Sequence, residues 1–389
     1  MQSNKPGAII IEGHVQGLSN TRSLGEAGIP VYVVDKIKCI ARHSKYCRKF
    51  FLCPDFIQDE FATFLIDLAE KEGVKGWVLI PSNDHAVYTI SKHKTRLEQY
   101  YKLITPGLDT IEKIYDKAAL LSLAEQCNVP IPSTFYFKNE NDPVPVSLAF
   151  PAITKGRNGL SFYRAMRMKA LLARDEKELR KQLHIIHEKY NISGVFTQEL
   201  IPFDGSNKTI SFTAFCITGE IKSYWMGVKL REHPLQFGTA TFAKSVYIQD
   251  CYDLSIPLIK SINYTGVCEI EYLYDPRDKK YKLIEINART WLWVGLAKFC
   301  GVNYARMIYD HVNHNQNDFP ATYDINKTWI NPFSDLAYAL LALVKGKITF
   351  KSYLSSFRNG AMVNALFLKN DWKPGVAYLL SLFSFLKKR

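Results

Sequence analysis

Short apolar runs alternate with amphipathic stretches along the first hundred residues of the chain. The runs at 8–12, 31–35 and 77–81 each have the length and the β-branched content of a buried strand. Helical spacing separates these runs, most clearly near 59–72. This alternation of strand and helix predicts a parallel α/β domain at residues 1–107.

A different pattern follows this domain. Asp116 is a good helix cap, and the helix predicted from 117 to 127 stops before the prolines of NVPIP. Strand pairs then alternate with helices, including one at 175–190 with apolar residues on one face. The pattern predicts an α+β body, with a linker helix and small lobe at 108–195 and a larger lobe at 196–318.

The last segment, residues 319–389, is predicted to be a helical, basic accessory tail. Helices are predicted at 333–345, 350–358 and 375–386. From residue 331 onward, the chain has nine Lys or Arg residues and only two acidic residues, Asp335 and Asp371. This composition fits two alternatives. One is an interfacial helix on an anionic membrane, and the other is a helix that packs on the body with a solvated basic end.

Charge and cysteine content narrow the class of protein. Fifty Lys and Arg against 37 Asp and Glu favour anionic partners such as nucleotides, phosphorylated sugars or a membrane surface. Eight scattered cysteines include no C-x-x-C pair, and no run approaches the roughly 20 apolar residues of a membrane-spanning helix. We therefore expect a cytoplasmic protein, with peripheral contact at the inner face of the membrane as an open alternative, and no nucleic-acid partner.

The sequence GVCEIEYLYDPRDKKYKLIEINAR contains two strand-like runs around a turn, and it predicts a β-hairpin. Symmetric pairing places Glu271 opposite Glu285 and Glu269 opposite Asn287, with Arg289 continuing the same face. Like charges so placed repel unless the face is solvated or a cation neutralises it. Carboxylate and amide oxygens without His or Cys suit a hard cation such as Mg²⁺.

The stretch FPAITKGRNGLSFYR is predicted to form a strand that ends in Lys155, a loop with Gly156 and Gly159, and a further strand. Backbone amides of such a loop can bind phosphates, and a lysine at the strand end can reach their oxygens. A surface hairpin with a solvated lysine is the alternative.

A third stretch, VFTQELIPFDGS, runs from an apolar strand into a turn. The strand end at Gln198 and Glu199 can offer backbone groups to an adenine edge, while Leu200 and Ile201 enclose the ring. An ordinary strand end has the same pattern.

In this order and spacing, the three motifs resemble the ATP-grasp superfamily, which includes D-alanine:D-alanine ligase, biotin carboxylase and the synthetase domains of carbamoyl-phosphate synthase. The resemblance covers roughly residues 1 to 315. It implies an N-terminal pre-ATP-grasp domain followed by a two-lobed ATP-grasp module. It assigns to ATP the residues Lys117, Lys155, Gly156, Gly159, Gln198, Glu199, Leu200 and Ile201.

The ending IEINAR is similar to the metal-binding E-x-N-x-R of the family. The resemblance implies Mg²⁺, with Mn²⁺ as the alternative cation, held by Glu285, Asn287 and Glu271, and it places Arg289 near the transferred phosphoryl group. Family members usually have an acid after the hinge for the ribose. Here only Asp204 or a polar neighbour is available.

Candidate substrate residues lie in two regions. Lys229 and Arg231 belong to a basic segment that is predicted either to bind the phosphorylated carboxylate, and so to take part in catalysis with Lys155 and Arg289, or to be an ordinary surface loop. In the first domain, residues at a helix start and a strand end are predicted to face the cleft of the parallel sheet. They are Ser19, Asn20, Arg22, Asn83 and Asp84.

The segment IPSNDHAVYTISKH and the following DK helix resemble the carboxylate–amine ligase branch of the superfamily. The resemblance implies a ligase that activates a carboxylate as an acyl phosphate, converts ATP to ADP and phosphate, and forms an amide. Its partners would be small-molecule carboxylate and amine substrates, namely an amino acid and an anionic small-molecule, sugar or lipid-linked acceptor. A catalytically silent ATP-binding regulatory or scaffold module is the alternative, as is the same activation leading to a thioester or a carboxylated product.

Overall fold

The structure is a computed structural model that describes residues 5–202, 207–233, 238–358 and 360–386. Its strands are β1 (Ala8–Ile11), β2 (Val31–Asp35), β3 (Cys47–Leu52), β4 (Val78–Pro81), β5 (Thr134–Phe135), β6 (Ala152–Gly156), β7 (Ala170–Ala173), β8 (Val195–Glu199), β9 (Thr209–Ile217), β10 (Glu220–His233), β11 (Thr239–Ser245), β12 (Gly266–Asp275), β13 (Lys280–Asn287), β14 (Thr328–Ile330) and β15 (Met362–Asn364). Its α-helices are α1 (Val15–Glu26), α2 (Glu60–Lys71), α3 (Asp84–Lys92), α4 (Lys94–Leu97), α5 (Leu108–Tyr115), α6 (Lys117–Gln126), α7 (Gly159–Met166), α8 (Glu176–Lys189), α9 (Gln249–Ser261), α10 (Val294–Phe299), α11 (Tyr304–His314), α12 (Pro332–Val344), α13 (Phe350–Ser355) and α14 (Lys373–Leu386).

The N-terminal domain contains a four-stranded sheet in the order β3-β2-β1-β4, with every pairing parallel. Successive side chains of a strand point to opposite faces. Ala8 and Ile10 of β1 therefore join one hydrophobic core, whereas Ile9 and Ile11 join another. Burial on both faces explains the continuous apolar runs of these strands, and the predicted parallel α/β domain is confirmed.

The small lobe is an antiparallel sheet in the order β5-β8-β6-β7. The predicted strand after Gly159 is wrong, because α7 begins there. The side chain of Asn158 caps α7 by accepting from the Ser161 amide at 3.0 Å. Since β8 belongs to this sheet, the lobe extends past the predicted boundary at residue 195.

The large lobe is a seven-stranded sheet in the order β13-β12-β9-β10-β11-β14-β15. Its last two strands come from the segment that was predicted to be a helical accessory tail. The three helices predicted there are present as α12, α13 and α14, but β14 pairs with β11 and β15 pairs with β14. The tail is thus continuous with the sheet that carries the hairpin.

A shared core joins the N-terminal domain to the large lobe. Ile10 and Val33 from the parallel sheet belong to the same buried cluster as Trp225, Trp291 and Trp293. The rings of Trp225 and Trp291 stack with centroids 5.8 Å apart. This packing brings the carboxyl ends of β1 and β4 next to the end of β13.

Candidate active site

The hairpin of β12 and β13 forms with the predicted register. Glu269 pairs with Asn287, and Glu271 pairs with Glu285. The register shifts by one residue after Glu271, toward the turn. The three carboxyl groups and the amide therefore share one face of the large sheet.

Two lysines neutralise this acidic face. Lys117 Nζ lies 3.0 Å from Glu285 Oε2, and Lys229 Nζ lies 2.8 and 2.9 Å from the two oxygens of Glu271. The charge of Lys117 lowers the pKa of Glu285 to about 2, against the opposing effect of burial. Burial disfavours the charged form of Lys229, but the neighbouring carboxylates raise its pKa above the ordinary value. The lysines thus relieve the repulsion predicted for this face.

Glu269 lies deeper than the other two carboxyl groups. It accepts from Ser211 Oγ at 2.7 Å and from Asn287 Nδ2 at 3.1 Å. Burial, aided by the charge of Glu271, raises the pKa of Glu269 to about 8. Its contact with Asn287 fixes the orientation of that amide.

The donor set fits a hard divalent cation. Glu271, Glu285 and Asn287 offer carboxylate and amide oxygens on adjacent strands, and Asn287 Nδ2 lies 3.4 Å from Glu285 Oε1. Within the described residues, no group of three or more His, Cys, Asp or Glu side chains is arranged to hold a metal. Two carboxylates and one amide suit Mg²⁺, which usually completes its shell with water and substrate phosphates.

Lys155 lies beside Lys117 at the carboxyl end of β6. Burial, together with the charge of Lys117, lowers the pKa of Lys155 to about 8. Its Nζ is 3.4 Å from Gln198 Oε1. Asp116 caps α6 and forms an ion pair with Arg157, while the Lys117 amide donates to the Arg157 carbonyl at 3.1 Å. These contacts hold the two lysines next to each other.

The two glycines after Lys155 differ in their surroundings. A side-chain carbon at Gly156 would lie 2.2 Å from Phe162 Cβ, so close packing of α7 excludes any larger residue there. Gly159 has open space around the corresponding position. Phosphate binding by this loop stays a prediction, because packing alone accounts for Gly156.

The predicted adenine hinge is partly occupied by structural contacts. The carboxylate of Glu199 accepts from the Ser133 amide at 3.0 Å and pairs with Arg277 at 2.8 Å and with Lys282 at 3.3 Å. Burial opposes ionisation, but these donors lower the pKa of Glu199. The side chain of Glu199 therefore holds the strand end in place, and its contact with a nucleotide stays a prediction.

The neighbours of Glu199 line the end of β8. Gln198 Nε2 donates to Thr134 Oγ1 at 2.9 Å, and the Leu200 amide donates to the Pro151 carbonyl at 3.0 Å. Ile201 is buried. The ribose candidate Asp204 lies outside the described residues.

Arg289 follows β13 and reaches the N-terminal domain. Its Nε and Nη2 each lie 2.9 Å from an oxygen of Asp84, the first residue of α3. Its Nη2 also lies 3.4 Å from Asn287 Oδ1. Burial disfavours the charged form of Arg289, but Asp84 raises its pKa above the ordinary value. The site is therefore shared between the N-terminal domain and the hairpin.

Glu12, at the carboxyl end of β1, is a site residue that the sequence analysis missed. Its two oxygens accept from Asn83 Nδ2 at 2.9 Å and from Gln16 Nε2 at 2.8 Å. Burial raises the pKa of Glu12 to about 7, and the charge of Arg289 acts in the opposite direction. Its position directly after a buried parallel strand was the available signal.

Two other predicted residues of the first domain contact the opposite lobe. Asn20 Nδ2 donates to Thr290 Oγ1 at 2.9 Å and to Ser82 Oγ at 3.2 Å. Ser19 packs against Gly295, where a side-chain carbon would lie 2.5 Å from the serine oxygen. Asn20 thus lines the junction next to Arg289, whereas Ser19 faces α10.

The structure does not bring Arg231 and Arg22 to the hairpin, and their contact with substrate stays a prediction. Arg231 Nε and Nη2 bind the two oxygens of Asp335 at 2.7 and 2.8 Å, away from the hairpin. A β-bulge between Lys229 and Arg231 separates their directions, so that Lys229 alone reaches the acidic face. Arg22 binds Asp371 at 2.8 Å and donates to three backbone carbonyls of the tail. Both arginines fasten the tail to the body.

Sequence comparisons find proteins that are similar to this chain. The family described as "Carbamoyl-phosphate synthase L chain, ATP binding domain" matches residues 240–300, which contain the hairpin. D-aspartate ligase of Enterococcus faecium (strain Aus0004) is 26% identical over 291 residues, or 71% of this chain and 69% of that protein.

Two examples illustrate the solved structures that share the fold. The L-amino acid ligase from Bacillus licheniformis aligns with a TM-score of 0.61 at 15% identity, covering 79% of this chain and 74% of that one. The biotin carboxylase domain of the Hydrogenobacter thermophilus 2-oxoglutarate carboxylase aligns with a TM-score of 0.63 at 14% identity, covering 82% and 73%, and that structure contains MgADP and bicarbonate.

Proposed function

We propose that the chain, which belongs to the ATP-grasp superfamily of ligases, is an ATP-dependent carboxylate–amine ligase. It forms an amide through an acyl phosphate and releases ADP and phosphate. Its substrates are an amino acid and an anionic small-molecule, sugar or lipid-linked acceptor. The observation that carries the proposal is the convergence of Lys117, Lys155 and Arg289 on the face that holds Glu285 and Asn287.

The relatives support the choice of substrates and cofactor. The names of D-aspartate ligase and L-amino acid ligase describe enzymes that act on amino acids. MgADP occupies the related biotin carboxylase domain. In this chain Glu271, Glu285 and Asn287 would hold Mg²⁺, which would offset the negative charge of the ATP phosphates.

Lys117, Lys155 and Arg289 supply the remaining positive charge. Lys117 is paired with Glu285, so bound phosphate oxygens become a second partner for its ammonium group. Lys155 has its pKa lowered by burial and by Lys117, and both effects favour contact with an anion. Fixed charges of this kind accelerate phosphoryl transfer mainly by positioning and electrostatic stabilisation.

The chemistry then proceeds in two steps. A carboxylate oxygen of the first substrate attacks the γ-phosphorus as the bond to the bridging oxygen of ADP breaks, which gives an acyl phosphate. The amine nitrogen of the second substrate attacks the acyl carbon, and phosphate leaves. Glu12, with a pKa of about 7 on the N-terminal side of the site, is placed to bind the substrate ammonium group and to accept its proton.

A screen of ADP release tests the proposal. The purified chain is incubated with ATP, Mg²⁺ and pairs drawn from amino acids and acidic sugars, and the products are then examined by mass spectrometry. We expect ADP formation that requires both members of one pair, and a product with the mass of the pair less one water. Nucleotide binding without turnover across the panel would favour a silent ATP-binding module, and Glu285→Gln is the inactive control.

A further inference from the structure

The C-terminal part of the tail, residues 331–386, has an unusually apolar surface. Of the twenty-two large hydrophobic residues that are exposed among the described residues, eleven lie between residues 331 and 386. They are Leu336, Leu340, Leu341, Val344, Phe350, Leu354, Met362, Trp372, Val376, Leu380 and Leu382. A soluble monomer seldom gathers so much exposed apolar surface in one segment without a binding partner.

Helix α12 shows how this surface is organised. Asp335, Ala339 and Ala342 are buried against the sheet. Leu340 and Val344, which lie one turn apart on the opposite side, are 57% and 87% exposed. The apolar stripe of α12 therefore faces away from the body.

The other two helices of the tail repeat the pattern. Phe350 and Leu354 of α13 are both exposed and one turn apart, as are Val376 and Leu380 of α14. The ring of Phe333 in α12 stacks on Tyr378 of α14, with centroids 5.8 Å apart. This contact holds α12 and α14 side by side.

The charges of the same segment are of one sign at the surface. Its two acids are buried, since Asp335 is 0% exposed and binds Arg231, while Asp371 is 4% exposed and binds Arg22. The described cations of the segment are all exposed. They are Lys345, Lys347, Lys351, Arg358, Lys369 and Lys373.

We propose that this face of the tail, formed by the exposed apolar and cationic residues of 331–386, docks onto the surface of an anionic lipid bilayer. The lysines complement anionic headgroups, and the apolar side chains beside them complement the acyl interior. No acid is exposed among the described residues of the segment. Exposed Trp372 adds an indole, which favours the membrane interface. None of the helices that the structure describes is long and apolar enough to span a bilayer, so the contact is peripheral.

Docking would also orient the rest of the protein. β14 and β15 extend the sheet of the active site, and the ion pairs of Arg22 and Arg231 fasten the tail to both domains. A bilayer bound at the tail therefore holds the whole body at a fixed angle. The inference concerns a surface outside the catalytic site and does not depend on the proposed function.

Vesicle flotation of the full chain tests the inference. We expect the protein to float with vesicles containing one third phosphatidylglycerol in phosphatidylcholine, and to remain at the bottom with pure phosphatidylcholine. Lys345→Gln with Lys347→Gln should weaken partitioning about 25-fold, since each basic residue near an anionic surface contributes roughly a fivefold factor. Leu340→Asp with Val344→Asp should abolish flotation.

Matched variants on another helix control for charge and surface polarity. The charge control is Lys177→Gln with Lys181→Gln, and the polarity control is Ile185→Asp. Both alter exposed residues of α8 and should leave flotation unchanged. Equal flotation of the tail variants and wild type would overturn the inference. Failure of the wild type to float on the anionic vesicles would also overturn it. A dimer in light scattering that Leu340→Asp dissociates would then show that a second copy of the chain covers the face.

Discussion

The carboxylate of Asp84 and the guanidinium of Arg289 form a paired contact, with two nitrogen–oxygen distances of 2.9 Å, across the junction of the N-terminal domain and the large lobe. Asp84 begins α3, whereas Arg289 follows the hairpin that carries Glu285 and Asn287. The orientation of the arginine beside the acidic face is thus set by a residue more than two hundred positions away.

Asp84→Asn should lower kcat for ADP formation about 100-fold, because the remaining amide cannot hold both nitrogens of Arg289 and small displacements of a positioning group carry costs of that size. The KM for ATP should change much less. Steady-state kinetics measure both. Asp59→Asn removes the exposed partner of Lys92 and is the matched control; an Asp84→Asn enzyme as active as this control would show that Arg289 needs no partner.

The hairpin shows what the sequence could predict. Strand alternation and a polar turn are local features, and they determined that Glu269 pairs with Asn287 and Glu271 with Glu285. The sequence did not indicate how the acidic face is neutralised. Lys117 comes from α6 and Lys229 from β10, and only the tertiary fold brings them to the carboxylates.

The positions of Arg22 and Arg231 could not be predicted for a related reason. Each arginine lies in a segment that faces the cleft by sequence pattern, but its partner is in the tail, at Asp371 or Asp335. A bulge in β10 reverses the alternation that would have placed Arg231 beside Lys229. Neither a bulge nor a partner more than a hundred residues away is visible in local periodicity.

Arg231→Met should destabilise the protein by about 3 kcal/mol, because it leaves Asp335 buried without its charged partner. Turnover per folded molecule should stay within about threefold of wild type, since the guanidinium lies outside the site. Urea unfolding and active-site-normalised kinetics measure the two quantities. Lys229→Met, which removes the partner of Glu271, should instead lower turnover. The reverse pattern would place Arg231 among the catalytic residues.

The stability of the ligand-free protein should fall as pH rises through the range set by Glu12. Burial raises the pKa of this carboxyl group to about 7, so the folded state binds its proton more tightly than the unfolded state does. The stabilisation is complete below the ordinary pKa of a glutamate and is lost as pH rises toward 7. Denaturant titrations from pH 4 to 8 should show that Glu12→Gln removes this part of the decline, whereas exposed Glu70→Gln should not. Parallel curves for wild type and Glu12→Gln would contradict the expectation.

Glu285→Gln should reduce Mg²⁺-dependent ADP formation about a thousandfold, because a neutral amide is a weak ligand for a hard cation. The variant should stay folded, with Tm within about 4 °C of wild type. A glutamine oxygen can still accept from Lys117, and the repulsion with the other carboxyl groups is reduced. Calorimetry and a coupled ADP assay provide the two readouts. Full Mg²⁺-dependent activity in this variant would remove Glu285 from the metal site.

Oxygen-18 in the substrate carboxylate should appear in inorganic phosphate. Direct contacts or adjacent charges link four groups of the site, namely Lys155, Arg289 and the oxygens of Glu285 and Asn287. Together these groups can stabilise the charge of a transferring γ-phosphoryl group. Carboxylate attack there leaves one labelled oxygen in the acyl phosphate bridge, and the amine then expels it with phosphate. Mass spectrometry of the phosphate should show one label for each amide formed.

Arg289→Ala separates binding from chemistry in the same reaction. If the guanidinium acts mainly on the transition state, kcat should fall about 100-fold while the KM for ATP changes less than about fivefold. Arg289→Lys should recover part of kcat, since a single ammonium group can replace the charge but not the two-nitrogen contact with Asp84. Label in AMP, or pyrophosphate among the products, would mean that the carboxylate attacks the α-phosphate, and the charged groups around Glu285 would then need a different role.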